Sequence, residues 1–234
     1  VETSNSNDQN LLNIDSFGIQ WGWKRSGETK DWSKLVIKQS KNEKLFCKQL
    51  SGNNLWKNAE AANHINYLLD GDLDKESSTF HISVYSHHKN TWHPPTLWVG
   101  IGCERNTKRE FIENSLNNFL ETNNLSPLSI AGFATIDIKK DEKGIIDLAK
   151  LKNLPIKFFN KEALSKITVP NPSNKVFKEI GTPSVAEASS ILAAGKGSKL
   201  LSKKIIFKNP KDSKSFNGAV TIAIAESNNQ YSPS

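Results

Sequence analysis

From residue 97 onward, apolar runs of strand length alternate with stretches whose apolar residues recur at helical spacing. That alternation restricts the fold more than any other feature of the chain. LWVGIG (97 to 102) is a short apolar run ended by glycine. Thr107 with Glu110 three residues on reads as a capping box, and Phe111, Ile112, Leu116, Phe119 and Leu120 follow on one helical face. Ser126-Pro127 reads as the N-cap and first position of a short turn, and FATIDI (133 to 138) as the next strand. Its alternation turns Ile136 and Ile138 toward the core and leaves Asp137 at the strand's carboxyl end. Asp141 reads as the cap of a helix carrying Ile145, Ile146, Leu148, Ala149 and Leu151, and PIKFF (155 to 159) as a further strand. Two more helices are expected, Ser173 to Ile180 stopped by Gly181 and Pro183 to Ala194 stopped by Gly195. KKIIF and GAVTIAIA, joined by NPKDSKSFNG, read as an antiparallel hairpin. The expected class is α/β, a mostly parallel sheet flanked by helices with a C-terminal β-hairpin.

Residues 1 to 95 are built differently. All six tryptophans (Trp21, Trp23, Trp32, Trp56, Trp92, Trp98) lie at or before residue 98, and all five histidines before residue 94. A break near Pro94-Pro95 therefore separates a smaller Trp-rich α+β region, residues 11 to 95, from a domain at 96 to 226. Polar ends at 1 to 10 and 227 to 234 read as linkers. Trp21, Trp23, Trp32 and Trp56 are the expected core of the first region, with stacking on a flat ligand as the alternative for one of them. The chain has no methionine even at position 1, which suggests a segment of a longer polypeptide.

Charge divides at the same point. Residues 1 to 95 hold 11 Lys and Arg against 11 Asp and Glu, whereas 96 to 234 hold 20 against 13, so the net +7 belongs to the second region. A lysine-rich solvated surface and a polyanionic ligand both account for it. The lysines are scattered without interleaved aromatics, and no nucleic-acid signature appears, so no nucleic-acid partner is expected. No run approaches the length of a membrane span and no signal peptide opens the chain, which makes the cytoplasm the expected location. Two cysteines, Cys47 and Cys103, are too few for a disulfide framework.

In open α/β sheets ligands lie beyond the carboxyl ends of the strands. Gly100 and Gly102 there allow close backbone approach, and the helix starting near Thr107 offers unpaired N–H groups. A plain tight turn is the competing reading, since the third glycine of a dinucleotide fingerprint is missing. Cys103 has no histidine in its domain to activate it and reads as a small buried thiol. His81, His87, His88 and His93 lack regular ligand spacing, so no metal site is expected.

Four segments, LWVGIGCERNT, ATIDIKKDEKGI, VPNPSNKVFKEIGTPSVAEASSILAAG and GAVTIAIAES, stand in an order and spacing that closely resemble the carboxy-terminal domain of the cobalt-precorrin-5A hydrolase (CbiG) family and its single-domain relative CobE. DSFGIQWGW and FHISVYSHH resemble the family's variable middle region more weakly. The resemblance implies cobalamin biosynthesis: opening of a ring A δ-lactone on a cobalt-corrinoid polycarboxylate, with release of acetaldehyde. It implies no protein-bound cofactor, cobalt entering only with the substrate. The implied partners are the rest of the parent polypeptide, namely the family's amino-terminal domain and a precorrin-3B methyltransferase in fused members.

Under that resemblance Asp137 is the candidate base or substrate-orienting carboxylate, a helix cap or salt bridge to Lys139 being the alternative. Glu104 is the second catalytic candidate, and Arg105 the fork for a substrate carboxylate. Lys139 is a further substrate contact. Many family members carry Arg at the position of Glu104 and Gly at that of Asn106, which puts one anion contact in doubt, although Asn tolerates the left-handed turn. Thr182 and Ser184 are candidates for holding a carboxylate at a helix N-terminus, against plain N-capping by Thr182. Glu187 lies one turn in, against an exposed surface residue. A non-catalytic corrinoid-binding or carrier domain and a generic basic binding module are the competing functions.

Overall fold

A computed structural model describes residues 13–58, 65–67, 78–208 and 218–228. The expected linker at 1 to 10, His64, the hairpin connection at 209 to 217 and the end from 229 lie outside the described residues. The chain divides into two compact units with the boundary between Pro94 and Pro95.

The first unit contains β1 (Lys24–Ser26), α1 (Thr29–Ser40), β2 (Leu45–Gln49), β3 (Ile65–Tyr67), β4 (Thr79–Ile82) and β5 (Thr91–His93). These described strands form a sheet ordered β1-β5-β4-β2-β3, parallel throughout except for β1 on β5. Its core is aromatic. Phe17 sits with its ring centroid 5.4 Å from Trp56 and 5.5 Å from Trp92, and Trp23, Trp32 and Phe80 complete the buried set. A buried indole keeps its N–H satisfied. Trp32 donates to the Ser26 carbonyl at 2.8 Å, Trp92 to the Ile14 carbonyl at 2.9 Å, and Trp56 to Gln49 Oε1 at 3.1 Å. Trp21 is only partly buried against this cluster.

The second unit runs β6 (Leu97–Cys103), α2 (Arg109–Thr122), β7 (Ile130–Ile136), α3 (Lys143–Lys152), β8 (Ile156–Phe159), α4 (Lys161–Ser165), α5 (Asn174–Ile180), α6 (Val185–Ala194), β9 (Lys199–Lys208) and β10 (Ala219–Glu226). Strand order among the described residues is β8-β7-β6-β10-β9. The first three are parallel neighbours, and the β9–β10 hairpin joins antiparallel beside β6. α2 and α3, the helices of the two parallel crossovers, pack on one another. α6 covers β6, β7 and β10, burying Trp98, Ala134 and Ala225 with Ala193 and Ala194.

Several local expectations change. The second strand begins three residues earlier than FATIDI and ends at Ile136, because Asp137–Lys139 turns into a 3-10 helix. Strand alternation therefore stops there, and Ile138 is 49% exposed instead of facing the core. The capping box is absent: α2 starts at Arg109 behind Lys108, and the Thr107 hydroxyl donates instead to the Glu104 carbonyl at 2.7 Å. Glu142, not Asp141, occupies the N-cap position of α3. Ser184, not Thr182, caps α6, its hydroxyl accepting from the Glu187 amide at 3.4 Å. Ser126, Ser173 and Gly181 cap as the sequence suggests.

Candidate functional site

The carboxyl ends of β6 and β7 are adjacent and parallel, so the loops after them, 104 to 108 and 137 to 142, leave the sheet together. Each leads straight into a helix, α2 and α3. Asn106 sits at φ 59°, the left-handed turn that lets the first loop reverse. A Cβ on Gly144 would run into the Thr107 carbonyl, so the lack of a side chain in the first turn of α3 lets the two loops close against each other.

Between them lies a cleft of about 400 Å³ lined by Arg105, Lys108, Arg109, Asp141, Lys143 and Asp147, among others. Arg105 spans it, donating to Asp141 Oδ1 at 2.5 Å and to the Ile138 carbonyl at 2.5 Å, with Glu142 4.0 Å away. The hydrogen bond raises the Arg105 guanidinium above its ordinary pKa and holds the Asp141 carboxyl below the usual range. Beneath, Lys139 pairs with Glu142 at 3.2 Å, both side chains at least nine-tenths buried. Arg109 is committed to Glu110 and Glu113. Lys108 and Lys143 form no ion pair with any described residue.

Asp137 is half-buried at the end of β7, and its carboxylate makes no hydrogen bond or ion pair with any described residue. It is neither a cap nor the partner of Lys139, whose ammonium belongs to Glu142. Glu104 is exposed at the end of β6. Gly102 is half-exposed, with only ordinary contacts at 3.7 Å to Thr221 and Val185 where a Cβ would stand. Cys103 is half-buried rather than fully buried, and burial pushes its thiol up to about 11, which leaves it un-ionised at neutral pH.

Four expected substrate contacts are buried and do not line the cleft. Gly100 is buried under α6, where a Cβ would strike the Ala186 carbonyl, so it serves helix-to-sheet packing and not ligand approach. Ser184 is spent on its cap. Glu187 is 0% exposed: one oxygen accepts from the Lys204 amide at 3.2 Å and the Asn171 amide at 3.3 Å, where the β9–β10 register shifts. Small residues on both sides of it, as in SVAEASSILAA, were the available signal of a helix buried all round. Thr182 is also 0% exposed, with an unpartnered hydroxyl.

In the first unit His81, His87 and His88 pack together, with ring centroids 4.4 Å apart for His81–His88 and 4.0 Å for His87–His88. Burial, then the positive neighbours, lowers His88 to about 4. No group of three or more His, Cys, Asp or Glu among the described residues could hold a metal ion. No described helix is long and apolar enough to cross a membrane.

The chain is 25% identical over 220 residues to cobalt-precorrin-5A hydrolase of Priestia megaterium, covering 87% of this chain and 58% of that protein. It is 29% identical over 112 residues to Protein CobE of a Sinorhizobium species, covering 47% of this chain and 73% of that one. A crystal structure of CobE, from the cobalamin (vitamin B12) biosynthetic pathway, covers 56% of this chain and 89% of its own at 31% identity with a TM-score of 0.48. The chain thus spans less than two thirds of the Priestia relative. Residues 97–225, which include β6, β7 and both loops of the cleft, match the model of the cobalamin synthesis G C-terminus family, and the chain belongs to that family.

Proposed function

We propose that this chain is part of a cobalt-precorrin-5A hydrolase of cobalamin biosynthesis, and that the strand-end cleft of its second unit binds the cobalt-corrinoid substrate. The observation that carries the reading is a half-buried carboxylate, Asp137, that pairs with no described residue and stands beside the cleft, outside its lining, on the same sheet edge as Arg105 and two lysines without an ion pair among the described residues. Corrin precursors are polycarboxylates, and the excess positive charge of the chain lies in this unit.

Lactone opening is water attack on an ester. Asp137 takes a proton from water as its oxygen bonds to the acyl carbon, and the acyl C–O bond then breaks, leaving a ring A carboxylate and a hydroxyl on the meso carbon. Loss of the hydroxyl proton to solvent lets that oxygen collapse to a carbonyl, which breaks the bond from the meso carbon to the ring; the ring carbon keeps the electron pair and takes up a proton, and acetaldehyde leaves. Arg105, Lys108 and Lys143 hold peripheral carboxylates, and the N–H groups opening α2 and α3 favour negative charge nearby. Glu104 is the second carboxylate on this edge.

A second reading is a corrinoid-binding unit without chemistry of its own. It is favoured by the likeness to CobE, which this unit covers over most of its length without a further large domain. Incubating the parent polypeptide and this segment with cobalt-precorrin-5A separates the two. Acetaldehyde release supports hydrolysis, a spectral shift without product supports binding alone, and neither outcome with either protein sinks both.

A further inference from the structure

The Arg105 guanidinium is held from two directions. Behind, it is tied to main chain at the Ile138 carbonyl and lies 4.0 Å from the buried Glu142. In front, it meets only the carboxylate of Asp141, a side chain 75% exposed on the cleft wall. The bond to the Ile138 carbonyl does not depend on the Asp141 side chain. The front contact is a surface ion pair, the kind that contributes little to stability and gives way to a competing carboxylate at small cost. The guanidinium N–H that donates to Asp141 Oδ1 can donate equally to another carboxylate of the right approach.

Resting on the hydrolase reading, we propose that Asp141 is an internal stand-in for a substrate carboxylate, occupying the Arg105 site until a peripheral carboxylate of the corrinoid displaces it. Asp141 keeps Arg105 from recruiting single carboxylic acids. A polycarboxylate that also reaches Lys108 and Lys143 outcompetes it, because linked contacts add while Asp141 offers one. The cleft thereby selects for ligands with several acidic arms. The lowered pKa of Asp141 agrees with a carboxylate kept ionised and ready to leave as an anion.

The test is titration with dicyano-cobyrinic acid, a stable corrinoid polycarboxylate, followed by the corrin absorption bands. Asp141→Asn is expected to tighten binding by about 3- to 10-fold. Removing a negative charge tightens polyanion binding for trivial reasons, so two controls decide. Asp147→Asn makes the same charge change on the same cleft wall without touching Arg105 and is expected to leave affinity within about 2-fold. In an Arg105→Ala background, the gain from Asp141→Asn is expected to vanish, an undetectable gain counting as its loss. An equal gain from Asp147→Asn, a gain that survives Arg105→Ala, or no gain in Asp141→Asn overturns the inference. Binding by wild type without any gain sinks only the stand-in, whereas failure of wild type and all variants to bind sinks the corrinoid reading itself.

Discussion

Lys139 and Glu142 face each other across 3.2 Å at the foot of α3, with side-chain exposures of 8% and 3%. Two opposite charges so deprived of water are held by each other, and Arg105 adds a more distant positive charge. The pair links the end of the 3-10 turn that follows β7 to the N-cap position of α3. Lys139 is therefore buried beneath the cleft and committed to Glu142.

Breaking that pair leaves a buried charge unmatched. Glu142→Gln is expected to lower stability by about 3 to 5 kcal/mol, while the double replacement Lys139→Met with Glu142→Leu recovers most of the loss. Urea unfolding with a common m-value is the measurement. A single mutant as stable as wild type would show that the pair is hydrated.

Gly100 and Gly102 are two residues apart on one strand face and should respond oppositely to a methyl group. Gly100→Ala forces α6 away from β6 at the Ala186 carbonyl and is expected to cost about 1 to 3 kcal/mol or more. Gly102→Ala has 3.7 Å of clearance and is expected to stay within about 0.5 kcal/mol of wild type. Thermal melting of the two variants side by side decides it, and similar melting temperatures would contradict the packing role of Gly100.

Gly144→Ala offers a sharper case. Alanine in place of glycine inside a helix usually stabilises by about 0.5 to 1 kcal/mol. Here the added methyl meets the Thr107 carbonyl, so a net loss of stability is expected together with weaker corrinoid binding, because the two cleft loops separate. A gain in stability would mean that the loops yield freely.

The pH response of the first unit follows from His88. In the folded chain its pKa is lowered to about 4 from the ordinary imidazole value of 6.5, so the unfolded state binds more protons between those values. Stability carried by neutral His88 is present above pH 6.5 and is lost as pH falls toward 4. Urea midpoints at pH 7 and pH 5.5 should differ less in His88→Asn than in wild type. An equal pH dependence in both would assign the effect to other groups.

Much of the second unit was legible because its periodicities are long and unmixed. β6, α2, β8, α5, α6 and the closing hairpin follow from apolar spacing, and Gly181 and Ser173 mark their helix as written. The ends of elements were less legible, because tertiary contacts decide them. Thr107 has the residue type of a cap, yet its carbonyl is pressed against Gly144 and its hydroxyl folds back to Glu104. Ile138 has the spacing of a core residue, but the strand stops two residues before it. From sequence Arg105 reads as a fork for a substrate carboxylate and Asp141 as a cap, whereas in the structure Arg105 donates to Asp141, 36 residues away in sequence. The four-residue periodicity that reveals a helix carries no information about such a pairing. Glu187 is hardest to place, since a buried carboxylate with one oxygen on a strand amide at a register shift and the other unpartnered among the described residues leaves no trace in local sequence.

Acetaldehyde release from cobalt-precorrin-5A, compared between wild type and Asp137→Asn in the proposed hydrolase, decides whether Asp137 is the base. The expected result is a fall in turnover of about 10²-fold or more, with corrinoid affinity and melting temperature close to wild type. Turnover per folded molecule preserved in Asp137→Asn would contradict the assignment of Asp137 as the base and move the chemistry away from this edge of the sheet.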